Sequence, residues 1–142
     1  MRGSALILLV EDNEANVMLA QAVLERDGFD VEVATNSAEA REWLLRVIPD
    51  LILMDVQLGG EDGIAFTQEI KANPKTRAIP IVAVTAHAMA GDRARAIHAG
   101  CDGYVSKPLD TRTFGSQMRA ILTNLRTRHQ EGTALVTSAE PG

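Results

Sequence analysis

Apolar positions along this chain fall into two rhythms. Five short runs stand out: ALILLV at 5–10, DVEVA at 30–34, DLILMD at 50–55, IPIVAV at 79–84 and DGYVS at 102–106. The first, third and fourth are apolar almost throughout, the pattern of parallel strands covered on both faces. The second and fifth are shorter and mixed, which suits the edges of a sheet. Between the runs the spacing lengthens to i, i+3, i+4, i+7. Ala40, Trp43, Leu44 and Val47 share one helical face, and Phe114, Met118, Ile121, Leu122 and Leu125 share another. Residues 13–26 read as a helix with a broad apolar surface, and Ile64, Phe66 and Ile70 as a shorter one before Asn73-Pro74. Ala94 and Ile97 mark a weaker helix ended by Gly100. Ser37, Asp62 and Asp110 stand where helix N-caps belong. Five alternations of strand and helix predict an α/β fold, a doubly wound five-stranded parallel sheet between helix layers.

Composition narrows the class without naming a function. A chain of 142 residues suits one domain, here expected over 5–128, with a leader at 1–4 and a flexible C-terminal tail at 129–142. The opening Met1 and the tail fit a free-standing chain. A formal net charge of -5 gives no general attraction to nucleic acid or to an anionic membrane. The one cysteine, Cys101, excludes an internal disulfide and fits a reducing compartment; it reads as a small buried apolar residue. The early apolar run is too short for a membrane span or a signal peptide, so a cytoplasmic location is expected.

Chemistry enters at the strand tips. The first run ends in Glu11-Asp12, the third in Asp55, the fourth in Thr85 and the fifth in Lys107. In a parallel sheet these side chains gather at the carboxyl edge, where such folds bind ligands. Any one of them has a bland role available: a cap, a strand-end hydroxyl, a solvated lysine. Together they are costly, because two like charges about 4 Å apart repel by roughly 4 kcal/mol at an effective dielectric near 20. One ammonium cannot neutralise three carboxylates, and oxygen-only ligands suit Mg²⁺. Beside such a cation Asp55 can act as a nucleophile toward a phosphoryl group, with Thr85 and Lys107 holding its oxygens. Ala86 is small enough to leave that group room.

The segments LLVEDN, DLILMDVQL, the DG at 62–63, IVAVTA and GYVSKP, in this order, resemble the receiver domain of bacterial two-component response regulators. The resemblance covers about residues 5–126. It implies the flavodoxin-like (βα)5 fold with strand order 2-1-3-4-5, and phosphorylation of Asp55 from a phosphohistidine. It further implies Mg²⁺ held by Asp12, Asp55 and the backbone carbonyl of Gln57, with Glu11 acting through water. Thr85 and Tyr104 match the family's switch pair, and Gln57 and His87 the positions that tune phosphate lifetime. Lys107-Pro108 matches a bond that is usually cis there. The loop after Asp55 departs from the pattern, with Gly59 where many receivers have proline and Glu61 where they often have methionine. Its adjacent glycines predict a loop that is more mobile without metal.

The reading that joins these features is a single-domain response regulator of a two-component system or phosphorelay. Its partners would be a histidine kinase or histidine phosphotransfer protein and a downstream effector protein. The stretch EDNEANVMLA is similar to receivers of hybrid kinases, so a phosphorelay shuttle or an excised hybrid-kinase receiver is the alternative. A homodimer stays open as a partner, and Arg112, Arg119 and Arg126, read as part of the fifth helix, would serve a partner or face water. An aspartyl-phosphate phosphatase of the haloacid dehalogenase type would want an acid where Gln57 stands. A flavodoxin-like cofactor binder would want a neutral phosphate loop where EDNEAN stands.

Overall fold

Three strands are buried along their whole length, and they set the frame. These are β1 (Leu6–Val10), β3 (Leu51–Asp55) and β6 (Ile81–Thr85). The computed structural model describes residues 4–86 and 90–131, with the backbone alone for 90 and 125–131. The remaining strands are β2 (Asp30–Ala34), the two-residue β4 (Gln57–Leu58) and β5 (Glu61–Asp62), and β7 (Gly103–Ser106). The helices are α1 (Glu14–Arg26), α2 (Ser37–Arg46), α3 (Gly63–Ala72), α4 (Ala90–Ala99) and α5 (Phe114–Glu131). Five strands form one parallel sheet in the order β2-β1-β3-β6-β7. Counted without the small β4–β5 pair, that is the expected order 2-1-3-4-5.

Alternation along each central strand splits the core in two. Ile7, Leu9, Leu51, Leu53, Val82 and Val84 face α1 and α5, meeting Leu24, Phe114 and Met118. Leu8, Val10, Ile52, Met54 and Ile81 face the other way, against Ala40 of α2 and Phe66 and Ile70 of α3. A third, smaller cluster packs Ala83 against Ala96 and Ala99 of α4. The helix faces predicted from Phe114 through Leu122 and from Ile64 are therefore the buried ones, and the side chain of Leu125 lies outside the described residues. For α4 the face is different: Ala96 and Ala99 are buried, while Ala94 and Ile97 are exposed.

Caps refine the expected boundaries. Asn13 caps α1, its side chain accepting from the Asn16 amide at 2.9 Å. Asp62 caps α3 as expected, accepting from Ile64 at 2.9 Å. At α2 the cap is Asn36, which accepts from Glu39 at 2.8 Å; Ser37, expected there, is the first helical residue. Asp110 holds the turn before α5, accepting from the Arg112 amide at 3.0 Å, and its carbonyl takes the Phe114 amide at 2.9 Å. The α5 backbone runs to Glu131, past the boundary expected at 128. The loop expected after Asp55 is a hairpin, with Gln57 opposite Asp62 and Leu58 opposite Glu61. Residues 1–3 of the leader, the tail from 132 onward and His87 lie outside the described residues. Among the described residues no helix is long and apolar enough to cross a membrane.

Candidate functional site

The parallel register brings the strand tips into line. Val10 lies beside Met54, Asp55 beside Val84, and Thr85 beside Ser106. Bonds past the strand ends keep that alignment: the Lys107 amide donates to the Thr85 carbonyl at 2.7 Å and the Val56 amide to the Val84 carbonyl at 2.9 Å. Asp55 ends β3, Thr85 ends β6, Glu11 and Asp12 follow β1, and Lys107 follows β7. All five expected residues therefore meet at one rim.

Carboxylate oxygens of Glu11, Asp12 and Asp55 lie within 4.8 Å of one another. Glu11 and Asp55 are each 4% exposed, whereas Asp12 is open to solvent. The Lys107 ammonium reaches Glu11 Oε1 at 3.1 Å and Asp55 Oδ2 at 3.5 Å. The Gln57 amide donates to Asp55 Oδ1 at 3.1 Å. Burial pushes the Asp55 carboxyl up to about 7, with the Glu11 charge and hydrogen bond adding; Lys107 and the Gln57 amide oppose the rise. Two buried acids packed this closely cannot both ionise cheaply. Lys107 sits nearer Glu11 than Asp55, so Asp55 is the less well neutralised of the two.

Side chains beyond those predicted complete the pocket. Glu11 Oε2 accepts from the Asn13 amide at 3.1 Å and from Asn16 Nδ2 at 3.5 Å, which fixes the carboxylate under α1. A Cβ built on Gly59 would lie 2.6 Å from Asp12 Oδ2, so the hairpin turn closes directly over that acid. A Cβ on Gly63 would lie 2.0 Å from the Asp55 carbonyl oxygen, so α3 starts against the backbone of the buried acid. The sequence offered a signal for the first contact: a Gly-Gly pair is a two-residue hairpin turn. For Asn13 and Asn16 it offered only their closeness to Glu11.

Thr85 is buried at the rim, and Gln57 is exposed on β4. Tyr104 is half-buried on β7, opposite Ala83 and packed with the α4 cluster. Burial raises its phenol, and the charge of Asp92 adds to the rise. Lys107-Pro108 is cis, as the resemblance implied. Cys101 is half-buried rather than fully buried, and burial pushes its thiol up to about 11, which keeps it protonated and unreactive.

Fold and pocket together define a class: a doubly wound α/β domain with crowded acids at the carboxyl edge of its sheet. Within that class the chain belongs to the response regulator receiver domain family, whose model matches residues 7–119. It is 38% identical over 116 residues to the polar-differentiation response regulator DivK of Brucella anthropi, covering 82% of this chain and 94% of that regulator. Among solved structures it is similar to the receiver domain of a Pseudomonas aeruginosa sensor histidine kinase, determined with a magnesium ion coordinated in the active site cleft. That match has 34% identity and a TM-score of 0.75, covering 89% of this chain and 100% of that one. A receiver domain of a histidine kinase from Syntrophus aciditrophicus matches at 29% identity and a TM-score of 0.78, over 88% of this chain and 95% of that one.

Proposed function

We propose that the chain is a phosphorylation-dependent signalling receiver in which Asp55 accepts a phosphoryl group from a phosphohistidine of a histidine kinase or phosphotransfer protein. The observation that carries this reading is the meeting of Glu11, Asp12 and Asp55, two of them paired with Lys107, in a chain of this family. The donor set fits Mg²⁺: three carboxylates lie within 4.8 Å of one another, and the two buried ones share the Lys107 ammonium. Asp12, Asp55 and the Gln57 carbonyl would hold the ion, with Glu11 acting through water. Bound there, Mg²⁺ would supply positive charge to the phosphoryl oxygens.

The chain's own groups do the rest. Asp55, ionised, attacks phosphorus; its Oδ–P bond forms as the P–N bond to the partner imidazole breaks. Lys107 exchanges part of its contact with the acids for a phosphoryl oxygen, and the Thr85 hydroxyl donates to another. The displaced Thr85 leaves space beside β6 that the Tyr104 ring can enter, which would alter the α4–β7–α5 face read by an effector protein. Gln57 and His87 would set the lifetime of the acyl phosphate. Similarity to receivers attached to histidine kinases supports a phosphorelay shuttle as a second reading.

Acetyl phosphate with Mg²⁺ should add one phosphoryl group to the wild-type chain by intact mass, and none to Asp55→Asn. Equal labelling of the two would reject Asp55 as the acceptor. Phosphotransfer run in both directions against candidate histidine proteins separates a shuttle from an end-point switch.

A further inference from the structure

The segment after Asp55 makes a contact that the phosphoacceptor reading does not use. β4 and β5 reverse around Gly59 and Gly60, at φ 50° and 87°. Two successive positive φ values are what a tight two-residue hairpin turn requires. Such a ribbon, four paired residues long, is marginal alone. Its glycines also lose more freedom on ordering than any other residue would.

Glu61 supplies the missing hold. Its Oε1 accepts from the Ser37 amide at 3.0 Å and its Oε2 from the Ser37 hydroxyl at 2.8 Å. Ser37 opens α2 and is buried, so the carboxylate closes on an amide the helix itself leaves unpaired, at the positive end of the helix dipole. The Ser37 bonds hold the Glu61 carboxyl below the usual carboxylate range, and the Arg41 charge adds to them. Arg41 braces the junction: it donates to the Ser37 hydroxyl at 3.3 Å and forks onto Glu69 of α3 at 2.7 and 2.9 Å.

The other end of the hairpin faces the acids. Gly59 abuts Asp12, and the Gln57 amide donates to Asp55. A ribbon released from α2 would therefore shift next to Asp12 and Asp55 together. We infer that Glu61 is a positioning residue for the divalent cation, its clasp on Ser37 fixing the hairpin that frames Asp12 and Asp55. The inference rests on the phosphoacceptor reading of the pocket. It also explains how a Gly-Gly turn can serve beside a metal site: a side-chain tether replaces backbone stiffness.

The test is a MgCl₂ titration of the full chain, followed by the amide signals of residues around Asp12 and Gln57, with melting temperatures taken in EDTA. Glu61→Ala should weaken Mg²⁺ binding about 10-fold, the scale of losing a group that orients metal ligands. Glu61→Gln keeps an acceptor for the Ser37 amide and should recover part of that loss. Ser37→Ala should weaken binding alone but add nothing to Glu61→Ala. Wild-type affinity in Glu61→Ala, even with a lower melting temperature, overturns the inference and leaves the pocket reading standing. If Glu61→Ala does not fold, wild-type affinity in both Glu61→Gln and Ser37→Ala overturns it instead. A wild-type chain that binds no Mg²⁺, or binds it equally well as Asp55→Asn, overturns the pocket reading and the inference with it.

Discussion

Asp55 occupies a site where burial and a neighbouring acid act against its charge, and where one lysine is shared with Glu11. An unfolded aspartate ionises near pH 3.9 (about that value in model peptides), while in the fold this one ionises at about 7. Between those values the native chain holds a proton that the unfolded chain has released. Stability from this group is thus fully present below about pH 4 and is lost as pH rises through about 7. Without metal, Asp55→Asn should be more stable to unfolding than wild type at pH 8, by on the order of 2 kcal/mol. The difference should shrink as the buffer is taken toward pH 5. A gap that is constant with pH, measured in EDTA, would remove the crowding from the explanation. These acids were legible in the sequence because each follows an apolar run, and parallel strands align their tips. Glu61 was not, because its partner Ser37 lies in another element and Glu61 itself sits in the small hairpin rather than after a strand of the main sheet.

At the scale of elements, the short ones carry the information that the apolar pattern lacked. Residues 57–62 read QLGGED, with no alternation to mark two strands, yet β4 and β5 pair there. Their register is set by the turn, and the turn by two glycines at positive φ. The α4 face escaped for a different reason: Ala96 and Ala99 fill a narrow gap by being small, so hydrophobic contrast points to Ile97 instead. The start of α3 is equally tight. Gly63 donates to the Val56 carbonyl at 2.8 Å, and its missing side chain leaves room for the Asp55 carbonyl. Gly63→Ala should therefore cost about 2–3 kcal/mol, since a backbone atom rather than a pliable side chain must yield. Chemical denaturation measures it, and a change under 0.5 kcal/mol, roughly the range of ordinary surface substitutions, would show that the two backbones separate freely.

Across the whole molecule the apolar clusters are not equivalent. The α1–α5 side is a continuous aliphatic layer closed by Phe114 and Met118, and it is tied at its rim. There Arg119 of α5 lies over the Phe29 ring and donates to the Asp27 carbonyl, while Arg26 donates to the Thr111 carbonyl at 2.6 Å. The α4 cluster is smaller: the helix gives it only Ala96 and Ala99, packed with Val56, Ile64, Ala83 and the half-buried Tyr104, so it has less to lose by rearranging. Beryllofluoride, a mimic of an acyl phosphate, should shift amide signals at Thr85 and Tyr104 while leaving those of Phe29 and Met118 unchanged. Silence at Thr85 and Tyr104 in the mimic-bound chain would remove the proposed switch. Both outer borders of the sheet carry a further consequence. On one side β2 presents Asp30 to solvent with Glu32 half-covered, and on the other β7 is only four residues long. A foreign strand approaching either flank would meet negative charge or too few rungs to latch onto, so cross-chain sheet growth is blocked where unpaired amides would otherwise invite it.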